Sequence, residues 1–275
     1  MQRSKIVEEI KKKKSYLCVG LDSDIRKIPP HLLSFPDPVF EFNKQIIDAT
    51  APYCVSYKIN TAFYEALGAK GWEIMEKTVR YIGNDHFKIA DAKRGDIGNT
   101  STQYARAFFE TVPFDAITVA PYMGEDSVRP FLDFPGKYTI VLGLTSNPGA
   151  NDFEMLQVNG GNLVYEEVLH KVSAWGTTDN LMFVAGATRP EQFEHIRKWV
   201  PGHFLLVPGV GLQGGNLAEV SRYGLIADCG LLVNVSRAVI YASDGEDFAT
   251  EAAAIAQQYQ EEMEEYLVEY SDLKI

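Results

Sequence analysis

The chain has 275 residues, 46% of them hydrophobic and 23% charged, with a formal net charge of −11. That acidic balance argues against a nucleic-acid or anionic-membrane partner, so an anionic ligand would need its own local cluster of lysine and arginine. No run of about 18 apolar residues occurs, which excludes a membrane-spanning helix.

Residues 1–15 are polar and lysine-rich with no apolar signal core, which predicts a cytoplasmic protein. Within them, 4–14 predicts a helix before the first strand, and its lysine run 11–14 suits a solvated helix C-terminus. Apolar runs rich in Val, Ile, Leu and Tyr follow at 16–21, 54–59, 86–90, 116–120, 138–142, 181–184, 204–207 and 230–233. Such near-continuous runs suit parallel strands covered on both faces. Amphipathic stretches at 38–49, 61–82, 99–109, 127–131, 162–175, 190–200, 216–222 and 246–268 predict the helices.

Eight strand–helix units without a linker predict an α/β protein, a (β/α)8 TIM barrel forming one domain over residues 1–275. The 4–14 helix would cap its floor, and an acidic C-terminal helix would end it. An open doubly wound sheet is the competing arrangement. The acidic stretch 261–272 packs on the barrel or on a neighbour, and the sequence does not choose.

Cys18, Cys54 and Cys229 lie inside apolar runs, and an odd count without metal spacing predicts buried, reduced thiols. The five histidines are scattered singly, so no metal centre is expected. Neither a P-loop nor a G-x-S-x-G elbow occurs, which removes P-loop phosphoryl transfer and the usual serine hydrolase.

Polar motifs gather just after the strands, where a barrel places its catalytic groups. Asp22 follows the first strand, as an acceptor for a sugar hydroxyl or as an Asx turn. Lys58 and Asn60 end the second. Asp91-Ala-Lys93-Arg-Gly95-Asp96 ends the third: on an extended segment Asp91 and Lys93 point the same way, and Asp96 lies beyond a turn that Gly95 permits. Lys58, Asp91, Lys93 and Asp96 then form an alternating line of charge, in which the carboxylates keep buried lysines protonated. A structural ion-pair network is the competing reading, though half-paired buried charge is a poor source of stability.

Thr145 to Ala150 opens a loop of about fifteen residues, the length of a lid, and Ser146 at its root suits the edge of a base or amide. Gly209-Val-Gly211-Leu-Gln213-Gly214-Gly215 contains G-x-G-x-x-G, but it follows the seventh strand rather than the first, and Asp228 precedes the next strand instead of ending it. A phosphate site built with Arg237 after the eighth strand fits that context better than a dinucleotide.

Taken together, Lys58, Asp91-Ala-Lys93-Arg-Gly-Asp96-Ile97, Ser146-Asn-Pro-Gly149, Gly186-Ala-Thr-Arg-Pro190, Pro208-Gly-Val-Gly-Leu-Gln213-Gly-Gly215 and Ser236-Arg237 resemble the orotidine 5′-phosphate decarboxylase family, in particular its larger bacterial branch. With Asp22 ahead of them, these motifs run in the family's order over nearly the whole chain. The resemblance implies decarboxylation of orotidine 5′-phosphate to UMP, the last step of de novo UMP synthesis, without a cofactor. It also implies a homodimer with shared sites.

Lys93 would match the proton donor and Asp91 the group beside the departing carboxylate. Asp96, Ile97 and Thr100 would match the segment that reaches the partner's site. Asp22 and Lys58 would hold the ribose, and Ser146 the pyrimidine. Gln213, Gly214, Gly215 and Arg237 would hold the phosphate, with Pro208 at the loop root. Ser236 stands where smaller family members often have glycine. Two other readings remain at this stage: a metal-dependent sugar-phosphate decarboxylase or aldolase-like barrel, which would need an acid where Asn60 stands, and a catalytically dead barrel that only binds a nucleotide phosphate.

Overall fold

The apolar runs assemble into eight parallel strands, and the computed structural model describes residues 1–211 and 214–275. In chain order they are β1 (Leu17–Gly20), β2 (Ser56–Asn60), β3 (Phe87–Arg94), β4 (Ala116–Val119), β5 (Tyr138–Leu144), β6 (Leu181–Ala185), β7 (Leu205–Pro208) and β8 (Leu231–Val235). Each pairs with the next, and β8 returns to β1 through Leu17↔Val233, Cys18↔Asn234 and Val19↔Val235, so the sheet closes. The competing open sheet is thereby overturned, because a closed sheet has no edge strand. Burial on both faces explains the lack of alternation: β1, β4, β6 and β8 are buried at every residue.

Two of the strand pairs lose register near the barrel mouth. Between Ala90↔Ile117 and Arg94↔Val119, β3 advances four residues while β4 advances two. Between Leu142↔Val184 and Leu144↔Ala185, β5 carries one residue too many. The second bulge is centred on Gly143, where a Cβ would lie 2.9 Å from the Val184 carbonyl oxygen. Bulges bend a strand and re-aim its side chains. Here the first contains Asp91 and Lys93 and the second lies just before Thr145 and Ser146, residues that the sequence marks as functional.

Helices α1 (Arg3–Lys13), α2 (Pro38–Thr50), α3 (Thr61–Glu65), α4 (Ala69–Tyr81), α5 (Gly98–Arg106), α6 (Glu125–Leu132), α7 (Val164–Ser173), α8 (Gln192–Trp199), α9 (Leu217–Gly224), α10 (Arg237–Ile240) and α11 (Phe248–Tyr270) lie before, between and after the strands. The continuous helix expected over 61–82 is broken. Gly68 takes φ 62, and Gly71 packs so tightly that a Cβ would lie 1.7 Å from the Tyr64 carbonyl oxygen. The short α10, which carries Arg237 at its first position, gives no periodic signal in the sequence.

Helix α1 crosses the floor of the barrel. The Arg3 guanidinium grips the Asp228 carboxylate with two contacts of 3.0 Å, and at the other end Lys13 Nζ donates to the Cys54 carbonyl at 2.9 Å. The C-terminal helix settles the question left by the acidic tail. Phe248, Ala252, Ala256, Met263 and Leu267 form a buried stripe at helical spacing, Phe248 stacks on Phe42 of α2, and Glu264 pairs with Lys14. It packs on the chain's own barrel.

The floor also buries His203 without a hydrogen-bond partner on either ring nitrogen among the described residues. Burial, together with the nearby Arg3 and Arg197 guanidiniums, pushes this imidazole down to about 4. Arg197 itself satisfies four backbone carbonyls, those of Gly224, Val200, His203 and Gly230. Because the folded state refuses a proton that the unfolded chain accepts near 6.5, this contribution to stability is complete above that pH and is lost as pH falls towards 4. Replacing His203 by Gln should therefore flatten the decline of Tm between pH 6.5 and 4, relative to the parent chain, in a thermal denaturation series. An unchanged decline would show that His203 is not a source of it.

Candidate active site

At the C-terminal mouth of the barrel a cavity of about 280 Å³ is lined by charged residues from β1 to β3 and by Arg237 after β8. Lys58 comes up from the middle of β2 and is only 4% exposed at its side chain, yet it is flanked by two acids. Its Nζ lies 3.0 Å from Asp91 Oδ2 and 3.4 Å from Asp22 Oδ1. Lys93, half exposed at the mouth, reaches Asp91 Oδ1 at 2.6 Å. The order of charge across the site is Asp22, Lys58, Asp91, Lys93.

This line differs from the sequence reading by one member. Asp96 does not line the cavity of its own chain, and neither do Ile97 and Thr100. The Asp96 carboxylate accepts from the Ile97 amide at 2.8 Å instead, and Ile97 is 59% exposed. Asp22 occupies the end of the line because the loop after β1 is pinned on both sides of it. Tyr64 donates to the Leu21 carbonyl at 3.1 Å, Ser23 donates to Asn43 at 2.6 Å, and Tyr241 donates to the Asp22 carbonyl at 3.1 Å.

The electrostatics follow from the geometry. Burial alone would push the Lys58 ammonium down, but Asp22 and Asp91 outweigh it and hold its pKa above the ordinary value. Burial would likewise push the Asp91 carboxyl up, and Lys58 with Lys93 reverses that, leaving it well below the usual carboxylate range. Both groups stay charged in a largely enclosed site, and each depends on the other.

The backbone that presents Lys93 is not the extended segment read from the sequence. Lys93 has φ 46, in the left-handed region, which costs a residue with a Cβ roughly 1–2 kcal/mol. Gly95 is not the left-handed residue of the turn. Its place is set by close approach, since a Cβ there would lie 3.1 Å from the Ala120 carbonyl oxygen. Asp91 and Lys93 do meet, but through the β3 bulge rather than by the alternation of a regular strand.

On the opposite wall, Ser146 lines the cavity at the root of the loop after β5, and Pro208 lines it at the end of β7. A Cβ on Gly186 would fall 2.6 Å from the Ser146 amide nitrogen, so only glycine lets these two loops approach so closely. The loop itself is tied to its root: the Glu154 carboxylate accepts from the Thr145 amide at 2.7 Å and from its hydroxyl at 2.8 Å. Arg237 reaches the cavity from the start of α10. Ser236 donates to the Gly20 carbonyl at 3.0 Å, fastening β8 to β1 directly before that arginine.

The glycine loop after β7 is only partly described. Gln213 lies outside the described residues. The Gly214 and Gly215 amides, read from the sequence as phosphate donors, donate within the loop to the Gly211 and Gly209 carbonyls at 2.8 and 3.0 Å. The sequence puts Asn234 in the polar motif that ends the eighth strand without assigning it a contact; it is buried on β8 and lines the cavity, as do Leu142, Val184 and Leu206, which sequence reading passes over. Asn234 interrupting the apolar β8 run was the available signal. The three aliphatics gave none, being like every other core residue.

A family profile described as orotidine 5′-phosphate decarboxylase / HUMPS family matches residues 15–252. An orotidine 5′-phosphate decarboxylase of Phocaeicola vulgatus is 58% identical over 270 residues, which cover 97% of this chain and 99% of that protein. The crystal structure of an orotidine-monophosphate-decarboxylase from Toxoplasma gondii aligns with a TM-score of 0.86 at 33% identity, covering 97% of each chain. The structure of Leishmania donovani UMP synthase aligns with a TM-score of 0.82 at 36% identity over 94% of this chain, which spans 57% of that protein's length.

Replacing Lys58 by Met, close in size and uncharged, leaves Asp22 and Asp91 facing one another without their shared cation. The expected result is an Asp91 carboxyl that titrates higher, followed by carbonyl NMR, and a loss of about 3 kcal/mol or more of folding stability at neutral pH. An unshifted Asp91 titration would mean that Lys93 alone sets its charge.

Proposed function

The chain belongs to the orotidine 5′-phosphate decarboxylase / HUMPS family, and on that basis we infer that it converts orotidine 5′-phosphate to UMP and CO2. The observation that carries the reading is the unbroken charge line Asp22–Lys58–Asp91–Lys93 at the mouth of the barrel.

The chemistry explains why such a line is useful. When the bond between C6 and its carboxylate breaks, the electron pair remains in an sp² orbital in the ring plane, where the π-system cannot spread it. Fixed charge must then stabilise it. The Lys93 ammonium is the group placed to do so; it gives a proton to C6 as CO2 leaves, and the amine recovers its proton from solvent. Asp91, held ionised, stands beside the substrate carboxylate and opposes that charge before it moves to the ring.

Asp22 and Lys58 hold the ribose hydroxyls, Ser146 meets the pyrimidine edge, and Arg237 holds the phosphate as a planar bidentate cation. Pro208 sets the start of the loop that carries Gln213 to the phosphate, together with the Gly214 and Gly215 amides once they leave the Gly211 and Gly209 carbonyls. Binding energy from that remote phosphate drives the loops after β5 and β7 to close over the reacting carbon.

We further propose a homodimer in which Asp96, Ile97 and Thr100 complete the partner's site. Supporting this are their position outside their own cavity and the exposed apolar side chains beside them: Ile97, Tyr122 at 95% exposure and Met123 at 45%. No helix among the described residues is long and apolar enough to cross a membrane, and we place the enzyme in the cytoplasm with the other steps of nucleotide synthesis.

UV-monitored conversion of orotidine 5′-phosphate to UMP tests the reading. Turnover should be insensitive to EDTA and should vanish in the Lys93→Ala variant while UMP binding persists; normal turnover in that variant would sink the mechanism. Mixed dimers of Lys93→Ala and Asp96→Asn subunits should regain one intact site. Mixtures that demonstrably form yet stay inactive would overturn the shared site.

A further inference from the structure

Where the β3 bulge breaks the ladder, which skips from Ala90↔Ile117 to Arg94↔Val119, the Lys93 amide meets a side chain of β4. The residue skipped on β4 is Thr118, which is completely buried. Its hydroxyl fills the gap. Thr118 Oγ1 accepts from the Lys93 amide at 2.9 Å and donates to Asp91 Oδ1 at 3.1 Å. A hydroxyl has one proton to give and lone pairs to accept with, and both capacities are used on the two residues that the decarboxylase reading sets at C6 and at its carboxylate.

We propose that Thr118 is a positioning residue for the decarboxylation, one that acts through Lys93 and Asp91 and touches no substrate. The inference rests on the decarboxylase reading above. Two physical demands make the hydroxyl necessary. The left-handed backbone at Lys93 persists only if its surroundings over-determine it, and the Thr118 bond holds its amide. Asp91 Oδ1 receives Lys93 Nζ as well, so the same oxygen fixes the direction from which the ammonium approaches. Apolar β4 neighbours of the same shape would supply the packing and neither bond.

Valine has threonine's shape and lacks its hydroxyl, whereas serine keeps the hydroxyl and loses a methyl. Thr118→Val should lower kcat about 10- to 100-fold, the range for a lost hydrogen bond to a charged group, with KM changed less than about twofold. Thr118→Ser should recover most of that loss. In parallel, hydrogen exchange of the Lys93 amide should be slow in the parent and the serine variant and fast in the valine variant. A valine variant with kcat within twofold of the parent, a loss carried equally by KM, or a serine variant as slow as valine would each overturn the proposal. If valine is not accommodated, by near-UV circular dichroism, Thr118→Ala carries the same comparison. A parent protein that does not convert orotidine 5′-phosphate would refute the decarboxylase reading, and the exchange of the Lys93 amide would still decide whether Thr118 holds it.

Discussion

A single buried ammonium holds the site together. Lys58 enters the barrel mouth nearly sealed from water, and it is tolerable there only because Asp22 and Asp91 lie on either side. Each of those acids is in turn tolerable because of Lys58. The interdependence ties the C-terminal ends of β1, β2 and β3 to one another by charge as well as by the sheet ladder. It also fixes Asp91 as an anion, without which Lys93 would have no fixed counter-charge to point it.

Closed parallel barrels are good at burying aliphatic side chains and offer no natural place for such a cluster. The rim solves this by abandoning regularity at two points. The β3 bulge turns Asp91 and Lys93 to one side, and the β5 bulge at Gly143 releases the chain toward Thr145 and Ser146. Where the ladder is given up, side chains take over the lost bonds: Thr118 for the Lys93 amide, Glu154 for the Thr145 amide. The walls that carry the ligand are therefore the parts of the barrel least governed by backbone pairing.

This division also explains what could be read from the sequence. The strands were legible because burial on both faces leaves unbroken apolar runs, and the hexad at the end of β3 was legible because charge closing such a run is a poor source of stability. Asp22 as the end of the charge line was not legible, since its place depends on Tyr64, Asn43 and Tyr241, which lie between 21 and 219 residues away in the chain. Nor was the conformation of Lys93, because a rule of alternation holds only while the register holds. The break at Gly68 was missed for a related reason: an apolar stripe continues across it, and only the approach to the Tyr64 carbonyl requires the interruption.

The left-handed backbone at Lys93 separates two pressures that usually act together on a sequence. For folding alone, glycine is the natural occupant of that conformation, and a library sorted only by abundance or protease resistance would accept it there. On the proton-donor role proposed for Lys93, a library sorted by pyrimidine-independent growth would discard the same variant. Position 93 is thus a place where selection for a sturdier protein and selection for a working one favour opposite residues, and where stabilised versions of this barrel obtained by consensus or screening should be inspected first.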